Sequence, residues 1–301
     1  MAKLDAIGLI GIGNIGSVIA EKLLKSGRTV IGYSKLMPPE FAKTGGTPVA
    51  SPKVVASAAS LILSCLPDEA AAQEVYYGSD GLLSGLRPGG TVLDLASYPL
   101  AFKRDLAGAV EATGATLLDG EVSGTPDMLR AGSGSIFLSG DLQNCERCLP
   151  ACRLVAEETF NLGPFGAATK MKLINNLLSA VHTAAAAEAM ALGVKAGFEP
   201  QLLARVLSKG SGSSKFLVSR APLMASRRFK GSRGPLKLFA KYLKHIPELA
   251  NQAECATPLF DAARSCFEIA LRQERGEEDI AVVFEVIEAM KRTEPPLPWG
   301  G

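Results

Sequence analysis

The chain has 301 residues, which at roughly 150 residues per domain predicts two domains, and its composition of 47% hydrophobic and 21% charged residues is that of a globular protein. Its 32 Lys and Arg residues against 30 Asp and Glu residues leave a formal charge of +2, so no chain-wide field favours nucleic acid or an anionic membrane as a partner. No apolar stretch is expected to span a membrane and the N-terminus is strand-like, which together predict a soluble, cytoplasmic protein.

The first half of the chain alternates short apolar runs with amphipathic stretches, as in a doubly wound parallel sheet with helices on both faces. The predicted strands cover residues 6–10, 29–33, 61–66, 91–95, 116–119 and 135–139. The predicted helices cover residues 15–25, 69–76, 101–113 and 141–157. In the last of these, Cys145, Cys148 and Cys152 share one face, which favours core packing and predicts no metal site.

The alternation stops at Gly163-Pro164-Phe165-Gly166, where glycine and proline resist helix formation from either side. Residues 169–196 then form an alanine-rich helical stretch, and the rest of the chain is helical between Gly, Ser and Pro breaks. The sequence therefore predicts an α/β domain over residues 1–164 and an all-α C-terminal domain over residues 165–301. The apolar stretch 173–194 is long for one small domain to cover, which predicts a homodimer or a tetramer of dimers.

A glycine-rich loop follows the first predicted strand and opens the first predicted helix. It reads Gly11-Ile12-Gly13-Asn14-Ile15-Gly16. In this motif the first glycine permits a tight turn, the second lets the backbone approach a pyrophosphate, and the third lets the helix pack close to the sheet. The strand before, the helix after and the second strand beyond predict a Rossmann-type dinucleotide site, with the pyrophosphate at the helix N-terminus.

The end of the second predicted strand decides between NAD and NADP. A carboxylate there would bind the ribose 2′-hydroxyl, whereas a basic group would accept a 2′-phosphate. No Asp or Glu occurs between Glu21 and Glu40, while Ser34 offers a hydroxyl and Lys35 a positive charge. These residues favour NADP, with NAD as the alternative.

Several separated segments resemble the β-hydroxyacid dehydrogenase family, which includes 3-hydroxyisobutyrate, tartronate semialdehyde and 6-phosphogluconate dehydrogenases. Besides residues 8–16, the similar segments are Cys65-Leu66-Pro67-Asp68, Gly78-Ser79-Asp80-Gly81-Leu82, Asp94-Leu95-Ala96-Ser97, Asp119-Gly120-Glu121-Val122-Ser123-Gly124 and Lys172-Leu173-Ile174-Asn175-Asn176. The resemblance covers nearly the whole chain, and the order and spacing of its segments make it more specific than the glycine loop alone.

The resemblance implies a set of site residues for a dehydrogenase acting on a small carboxylate substrate. It places Leu66 and Pro67 in the cofactor site and implies that Ser97 and Lys241 lie beside the nicotinamide. It also implies that the segment at Ser123, Gly124 and Thr125 binds substrate, and that the segment at Lys172 bears the catalytic lysine.

The chain departs from the family pattern where specificity is set. The family continues its Ser-Gly pair with a further glycine, whereas this chain has Thr125-Pro126-Asp127-Met128-Leu129, and Tyr242 replaces the aspartate that usually follows the lysine matched by Lys241. A loop with proline offers fewer backbone N–H groups, so the substrate pocket is expected to be altered.

Lys172 can serve as the base that takes the hydroxyl proton, because burial and a neighbouring cation both lower the pKa of a lysine. Asn176 follows at i+4 and projects from the same helix face, where it can hold the lysine or the substrate hydroxyl. Two alternatives remain open: a non-catalytic dinucleotide-binding reader or scaffold, and an imine-reducing relative. The pair of Lys172 and Asn176 argues against the first, and Lys172 itself against the second.

Overall fold

A computed structural model describes residues 6–231 and 234–291. The chain divides into two compact units, Met1–Lys172 and Leu173–Gly301. The division falls a few residues beyond the predicted domain boundary at 164, inside a helix that starts in the first unit. Each unit has its own hydrophobic core.

The first unit is built on one sheet of eight strands in the order β3-β2-β1-β4-β5-β6-β7-β8. The strands are β1 (Ile7–Ile10), β2 (Val30–Tyr33), β3 (Thr47–Pro48), β4 (Leu61–Ser64), β5 (Thr91–Asp94), β6 (Thr116–Ser123), β7 (Ser135–Ser139) and β8 (Glu158–Asn161). Strand order reverses at β1, between β2 and β4, and α/β sheets of this kind bind ligands at the carboxyl ends of the strands beside such a reversal.

The sheet is mostly parallel, as predicted, but β7 pairs antiparallel with β6. The reason is the short connection between Ser123 and Ser135, because a parallel crossover needs a dozen or more residues. Strand β8 then pairs parallel with β7. The sequence patterns also missed the short strand β3 and the strand β8.

Among the described residues, seven α-helices cover the two faces of this sheet. They are α1 (Asn14–Lys25), α2 (Pro39–Lys43), α3 (Pro52–Ala58), α4 (Glu69–Tyr77), α5 (Leu100–Glu111), α6 (Pro126–Arg130) and α7 (Leu142–Val155). One core cluster contains residues of α1 and α7, including the buried Cys145, Cys148 and Cys152. The other contains residues of α3, α4 and α5, such as Val55 and Leu106. The inner parallel strands β1, β4 and β5 are therefore buried from both sides, which accounts for their nearly continuous apolar sequences, whereas the edge strands β3 and β8 are mostly exposed.

The second unit is all-helical among its described residues. Helix α8 (Ala167–Lys195) enters it from the first unit and is followed by α9 (Pro200–Leu207), α10 (Lys215–Ser226), α11 (Leu236–Gln252), α12 (Pro258–Arg272) and α13 (Val283–Ala289). The sequence predicted no membrane-spanning segment, yet α8 is long and apolar enough to cross a membrane by length and composition alone. A core helix of a soluble protein passes the same test, and Ala187 and Met190 of α8 lie in the core of this unit.

Candidate active site

The glycine loop joins β1 directly to α1, and two of its glycines are required by close backbone contacts. Gly11 has a φ of +82°, and a Cβ there would lie 2.5 Å from the backbone oxygen of Cys65. A Cβ on Gly16 would lie 1.9 Å from the backbone oxygen of Gly11. Gly11 therefore lets the loop lie against the residue that follows β4, and Gly16 lets the first turn of α1 lie close to the loop.

Gly13 differs, because a Cβ added there would meet none of the described atoms within 4 Å. Gly13 is exposed and is the N-cap of α1, without a side-chain hydrogen bond to the N-terminal N–H groups and without an acidic residue in the first turn. The loop thus presents open space in front of a helix N-terminus, where an anion is favoured. A dinucleotide pyrophosphate fits this cradle, and Ile12, Asn14 and Ile15 complete the loop around it.

We expect Gly13→Val and Gly16→Ala to separate cofactor binding from folding. The valine side chain would fill the open space, so NADP affinity should fall by about tenfold or more, while the melting temperature stays unchanged. Gly16→Ala should instead lower the free energy of unfolding by about 1–3 kcal/mol, because its methyl group overlaps the Gly11 carbonyl. Calorimetric titration and thermal melts check both; undiminished affinity in Gly13→Val would contradict the assignment of the loop.

The residues predicted to read the ribose lie just beyond β2. Ser34 is half-buried and Lys35 is exposed. The Lys35 Nζ forms a salt bridge with Glu74 of α4, at 2.9 Å from Oε2, and this hydrogen bond and charge raise the pKa of Lys35. The lysine predicted to accept a 2′-phosphate is therefore already paired with a carboxylate, that of Glu74, which the sequence did not indicate.

The loop after β4 borders the glycine loop. A Cβ on Gly11 would lie 3.3 Å from Cδ2 of Leu66, which is half-buried, while Pro67 is exposed. Asp68 caps α4 by accepting a hydrogen bond from the N–H of Ala71 at 2.8 Å. The structure thus brings the segment at Leu66 and Pro67 to the predicted cofactor loop.

Strand β6 continues to Ser123, four residues past its predicted end. Its alternation puts Asp119, Glu121 and Ser123 on one face. Asp119 and Glu121 are buried, and the fully buried Lys103 of α5 lies beside both, with its Nζ 2.7 Å from Asp119 Oδ1 and 3.6 Å from Glu121 Oε1. The carboxyl half of β6 therefore carries a buried charge cluster that sequence analysis missed.

Asp119 also caps the start of α8. It accepts hydrogen bonds from the backbone N–H of Thr169 at 3.0 Å and from the Thr169 hydroxyl at 2.7 Å. Burial by itself would raise the pKa of Asp119, but the Lys103 charge and the hydrogen bonds from Lys103 and Thr169 outweigh it and hold this pKa below its ordinary value. An ionised Asp119 thus stabilises the positive end of the helix that carries Lys172.

Ser97 and Glu121 meet beyond the end of β5. Strand β5 pairs Asp94 with Asp119 and ends there, while β6 runs on, so the loop after β5 lies next to the extension of β6. The Ser97 hydroxyl donates a 2.5 Å hydrogen bond to Glu121 Oε2. Burial raises the pKa of Glu121 against the opposing effects of the Lys103 charge, the Lys172 charge and this hydrogen bond.

Lys172 is half-buried and its Nζ donates a 2.7 Å hydrogen bond to the backbone oxygen of Val122. That carbonyl immediately precedes Ser123 and Gly124, so the structure brings the predicted catalytic lysine to the predicted substrate segment. Gly124 has a φ of +139°, a conformation that favours glycine. The Thr125 hydroxyl accepts a hydrogen bond from the Met128 N–H and caps α6, the short helix formed by the altered loop.

Two predicted site residues lie in the second unit. Asn176 is buried on α8, one helical turn after Lys172, and its Oδ1 accepts a hydrogen bond from the Ser179 hydroxyl at 3.4 Å. Lys241 lies on α11, with its ammonium 5.5 Å from the ring centroid of its neighbour Tyr242.

Comparison with known protein families matches both parts of the chain. Residues 6–163 match the NAD binding domain of 6-phosphogluconate dehydrogenase. Residues 166–287 match the NAD-binding domain of NADP-dependent 3-hydroxyisobutyrate dehydrogenase. The two matches lie on either side of the Gly163–Gly166 segment.

Individual relatives are similar over almost their full length. The chain is 32% identical over 288 residues to L-threonate dehydrogenase of Cupriavidus necator, covering 93% of this chain and 95% of that protein. It is 30% identical over 293 residues to the NAD-dependent L-serine dehydrogenase of Pseudomonas aeruginosa, covering 94% and 97%. Among solved structures, 3-hydroxyisobutyrate dehydrogenase from Salmonella typhimurium matches with a TM-score of 0.84 at 25% identity, covering 93% of this chain and 99% of that chain.

Proposed function

Since the chain belongs to the β-hydroxyacid dehydrogenase family, we propose that it transfers a hydride between NADP and a small β-hydroxy acid or its semialdehyde. The observation that carries this proposal is the position of Lys172, whose ammonium lies on the Val122 carbonyl at the start of the Ser123-Gly124 segment. One proton-transferring group and one carboxylate-binding segment are thereby adjacent.

Lys172 handles the proton at the substrate oxygen. In the oxidative direction its neutral amine accepts the hydroxyl proton, and in the reductive direction its ammonium returns that proton to the carbonyl oxygen. The Val122 carbonyl accepts a hydrogen bond from Nζ and so fixes the direction in which the amine points. Asn176, one turn further along α8, is proposed to hold the substrate hydroxyl.

The substrate carboxylate is proposed to bind at the end of β6. The Ser123 hydroxyl and the Gly124 N–H are donors of the kind that carboxylates accept. The relatives are named for L-threonate, L-serine and 3-hydroxyisobutyrate, each of which has a carboxylate and a hydroxyl on the β-carbon. Short helix α6 replaces the usual glycine-rich continuation, so we propose that the substrate differs from these in the groups that face Thr125.

The dinucleotide is proposed to be held by the glycine loop, by Leu66 and Pro67 beside it, by Ser97 and by Lys241. When bound, its nicotinamide supplies the two-electron hydride acceptor or donor. Gly13 leaves space for the pyrophosphate. Ser34 and Lys35 are proposed to bind the 2′-phosphate, which is the basis for the preference for NADP.

We expect Glu74→Gln to tighten NADP binding by up to about fivefold and to leave NAD binding unchanged. In the native chain a 2′-phosphate must share Lys35 with the Glu74 carboxylate, which also repels it. Calorimetric titration with both dinucleotides measures this. Glu146→Gln, an exposed carboxylate on α7, is the control for net charge. An equal change for NAD and NADP would show that Lys35 does not read the 2′-phosphate.

A turnover screen tests the function itself. Small β-hydroxy acids and their semialdehydes are offered with NADP and with NAD, and the nicotinamide absorbance is followed. We expect turnover of at least one such substrate, with NADP preferred. Absence of turnover across the panel, in a protein that binds the dinucleotide, would favour a binding role over catalysis.

We propose that the active form is a homodimer. Helix α8 has large exposed apolar side chains at Met171, Ile174, Leu178 and Leu192. Exposed apolar residues recurring along one helix support contact with a second copy of the chain.

A further inference from the structure

We propose that Glu121 is a positioning residue that fixes the Ser97 hydroxyl and keeps Lys172 protonated when no substrate is bound. This inference rests on the proposed function of Lys172 as the proton-transferring group. It concerns a residue that the family resemblance assigns no role.

The first argument is the contact between Glu121 and Ser97. Glu121 is only 1% exposed, and its Oε2 accepts the hydroxyl hydrogen of Ser97. Because that hydrogen is committed to the carboxylate, the lone pairs of the Ser97 oxygen are directed elsewhere. Glu121 therefore determines whether Ser97 acts as an acceptor or as a donor towards a neighbouring group.

The second argument is the balance of buried charge. Asp119 and Glu121 are two buried carboxylates, and the buried ammonium of Lys103 lies beside both. Lys103 is closer to Asp119, at 2.7 Å against 3.6 Å for Glu121, and Asp119 is the better satisfied of the two. One buried cation cannot neutralise two buried anions, so a second positive charge close to Glu121 is favoured.

Lys172 is the cation that the fold provides. Its Nζ is hydrogen-bonded to the carbonyl of Val122, the residue next to Glu121. The positive charge of Lys172 lowers the pKa of Glu121, against the rise that burial causes. A negative charge close to an amine favours the ammonium form, so Glu121 opposes the effect of burial on Lys172.

The other titratable groups around Glu121 do not replace Lys172 in this role. The groups that face it from β5, β6, α5 and the loop after β4 are Asp94, Asp119, Lys103 and Cys65. Burial raises the pKa of Asp94 to about 7 and that of the Cys65 thiol far above its usual range. A carboxyl and a thiol are neutral or negative in every protonation state, so neither adds a positive charge. The charges of Asp119 and Glu121 raise the pKa of Lys103 against the effect of burial, so Lys103 stays protonated near neutral pH.

The test is a direct titration of Lys172 in the full chain, without dinucleotide or substrate. The rate at which trace acetic anhydride acetylates Lys172 is measured against pH by mass spectrometry, with the exposed Lys170 as internal reference. In Glu121→Gln we expect the pKa of Lys172 to fall by about one unit, because the opposite charge is gone. Glu121→Asp, which keeps the charge, and Glu111→Gln, which removes an exposed one, should leave this pKa within about 0.2 units of the native value.

A reciprocal measurement covers the case in which Glu121→Gln does not fold. Lys172→Met leaves Glu121 intact, and carbon NMR of the Glu121 carboxyl should then show the pKa of Glu121 rising by about one unit. The control Lys170→Met should leave the pKa of Glu121 unchanged. An unmoved Lys172 pKa in a folded Glu121→Gln, or an unmoved Glu121 pKa in Lys172→Met, would overturn the proposal. Because neither titration uses turnover, a chain inactive on every hydroxy acid would overturn the proposed function and leave this coupling measurable.

On a substrate that is turned over, the pH profile should move accordingly. Oxidation needs the neutral amine, so kcat/KM rises as pH passes the pKa of Lys172. In Glu121→Gln this rise should shift to lower pH by about one unit. A purely structural loss would lower kcat/KM at every pH and leave the position of the rise unchanged.

Discussion

Lys172→Ala should lower turnover by about 100-fold to 10,000-fold while dinucleotide affinity changes little. The substitution removes the group that takes up the hydroxyl proton, whereas the glycine loop is shaped by the close backbone contacts at Gly11 and Gly16. Lys172→Arg should not restore activity, because a guanidinium stays protonated and cannot accept this proton at neutral pH. Steady-state kinetics on a substrate from the screen, with calorimetry for the dinucleotide, make the measurement.

The matched control for this prediction is Lys170→Ala. Lys170 is exposed on the same helix two residues earlier, so its loss changes the net charge equally without touching the Val122 carbonyl. Turnover of Lys172→Ala within a few-fold of the native value, on a substrate that the native chain oxidises, would rule out Lys172 as the general base.

Lys103→Met should destabilise the chain by about 3–5 kcal/mol, because it leaves two buried carboxylates without their shared counter-ion. Denaturant unfolding followed by circular dichroism measures the loss. Arg104→Met, on the exposed side of the same helix, should cost little. If Lys103→Met and Arg104→Met had the same free energy of unfolding, the charge cluster would contribute nothing to stability.

The stability lost in Lys103→Met should also depend on pH. Without Lys103 the pKa values of Asp119 and Glu121 in the folded chain rise above those in the unfolded chain, so the folded chain binds more protons. The free energy of unfolding of the variant then falls as pH increases, and its deficit should be larger at about pH 8 than at about pH 5. Adding Glu121→Gln to Lys103→Met should recover part of this deficit, because one of the two carboxylates that lost the Lys103 charge is removed.

The sequence predicted those parts of the fold that depend on local pattern. The first two strands and the glycine loop between β1 and α1 follow from apolar runs and glycine spacing. Because the loop follows β1, the predicted cofactor site lies at the carboxyl end of that strand. The antiparallel β7 did not follow, because direction depends on connection length and not on the pattern of the strand itself. Strand β6 was predicted to end at Asp119, whereas it continues to Ser123 because its second half pairs with the antiparallel β7.

The site was predictable only where a residue belongs to a recognisable motif. Lys172, Ser97 and Ser123 came from matching segments. Lys103 lies in no such segment, and Glu121, although it lies inside one, is assigned no role by the resemblance. One signal was present: Lys103 falls at i, i+3 and i+7 spacing with Leu106 and Val110, the buried stripe of α5. A lysine in such a stripe predicts a buried carboxylate partner, but nothing local says which carboxylate, because Asp119 and Glu121 lie on another element.

The double hydrogen bond between Asp119 and Thr169 has a geometric consequence for α8. Lys172 comes three residues after Thr169, so it lies about 4.5 Å further along the helix axis and about 300° around it, nearly in line with Thr169. One carboxylate on the sheet therefore sets the rotational phase of the helix as well as its end. The direction of the Lys172 side chain is fixed by the first unit before α8 enters the second, so an insertion between these two residues would turn the amine away, whereas one after Lys172 would not.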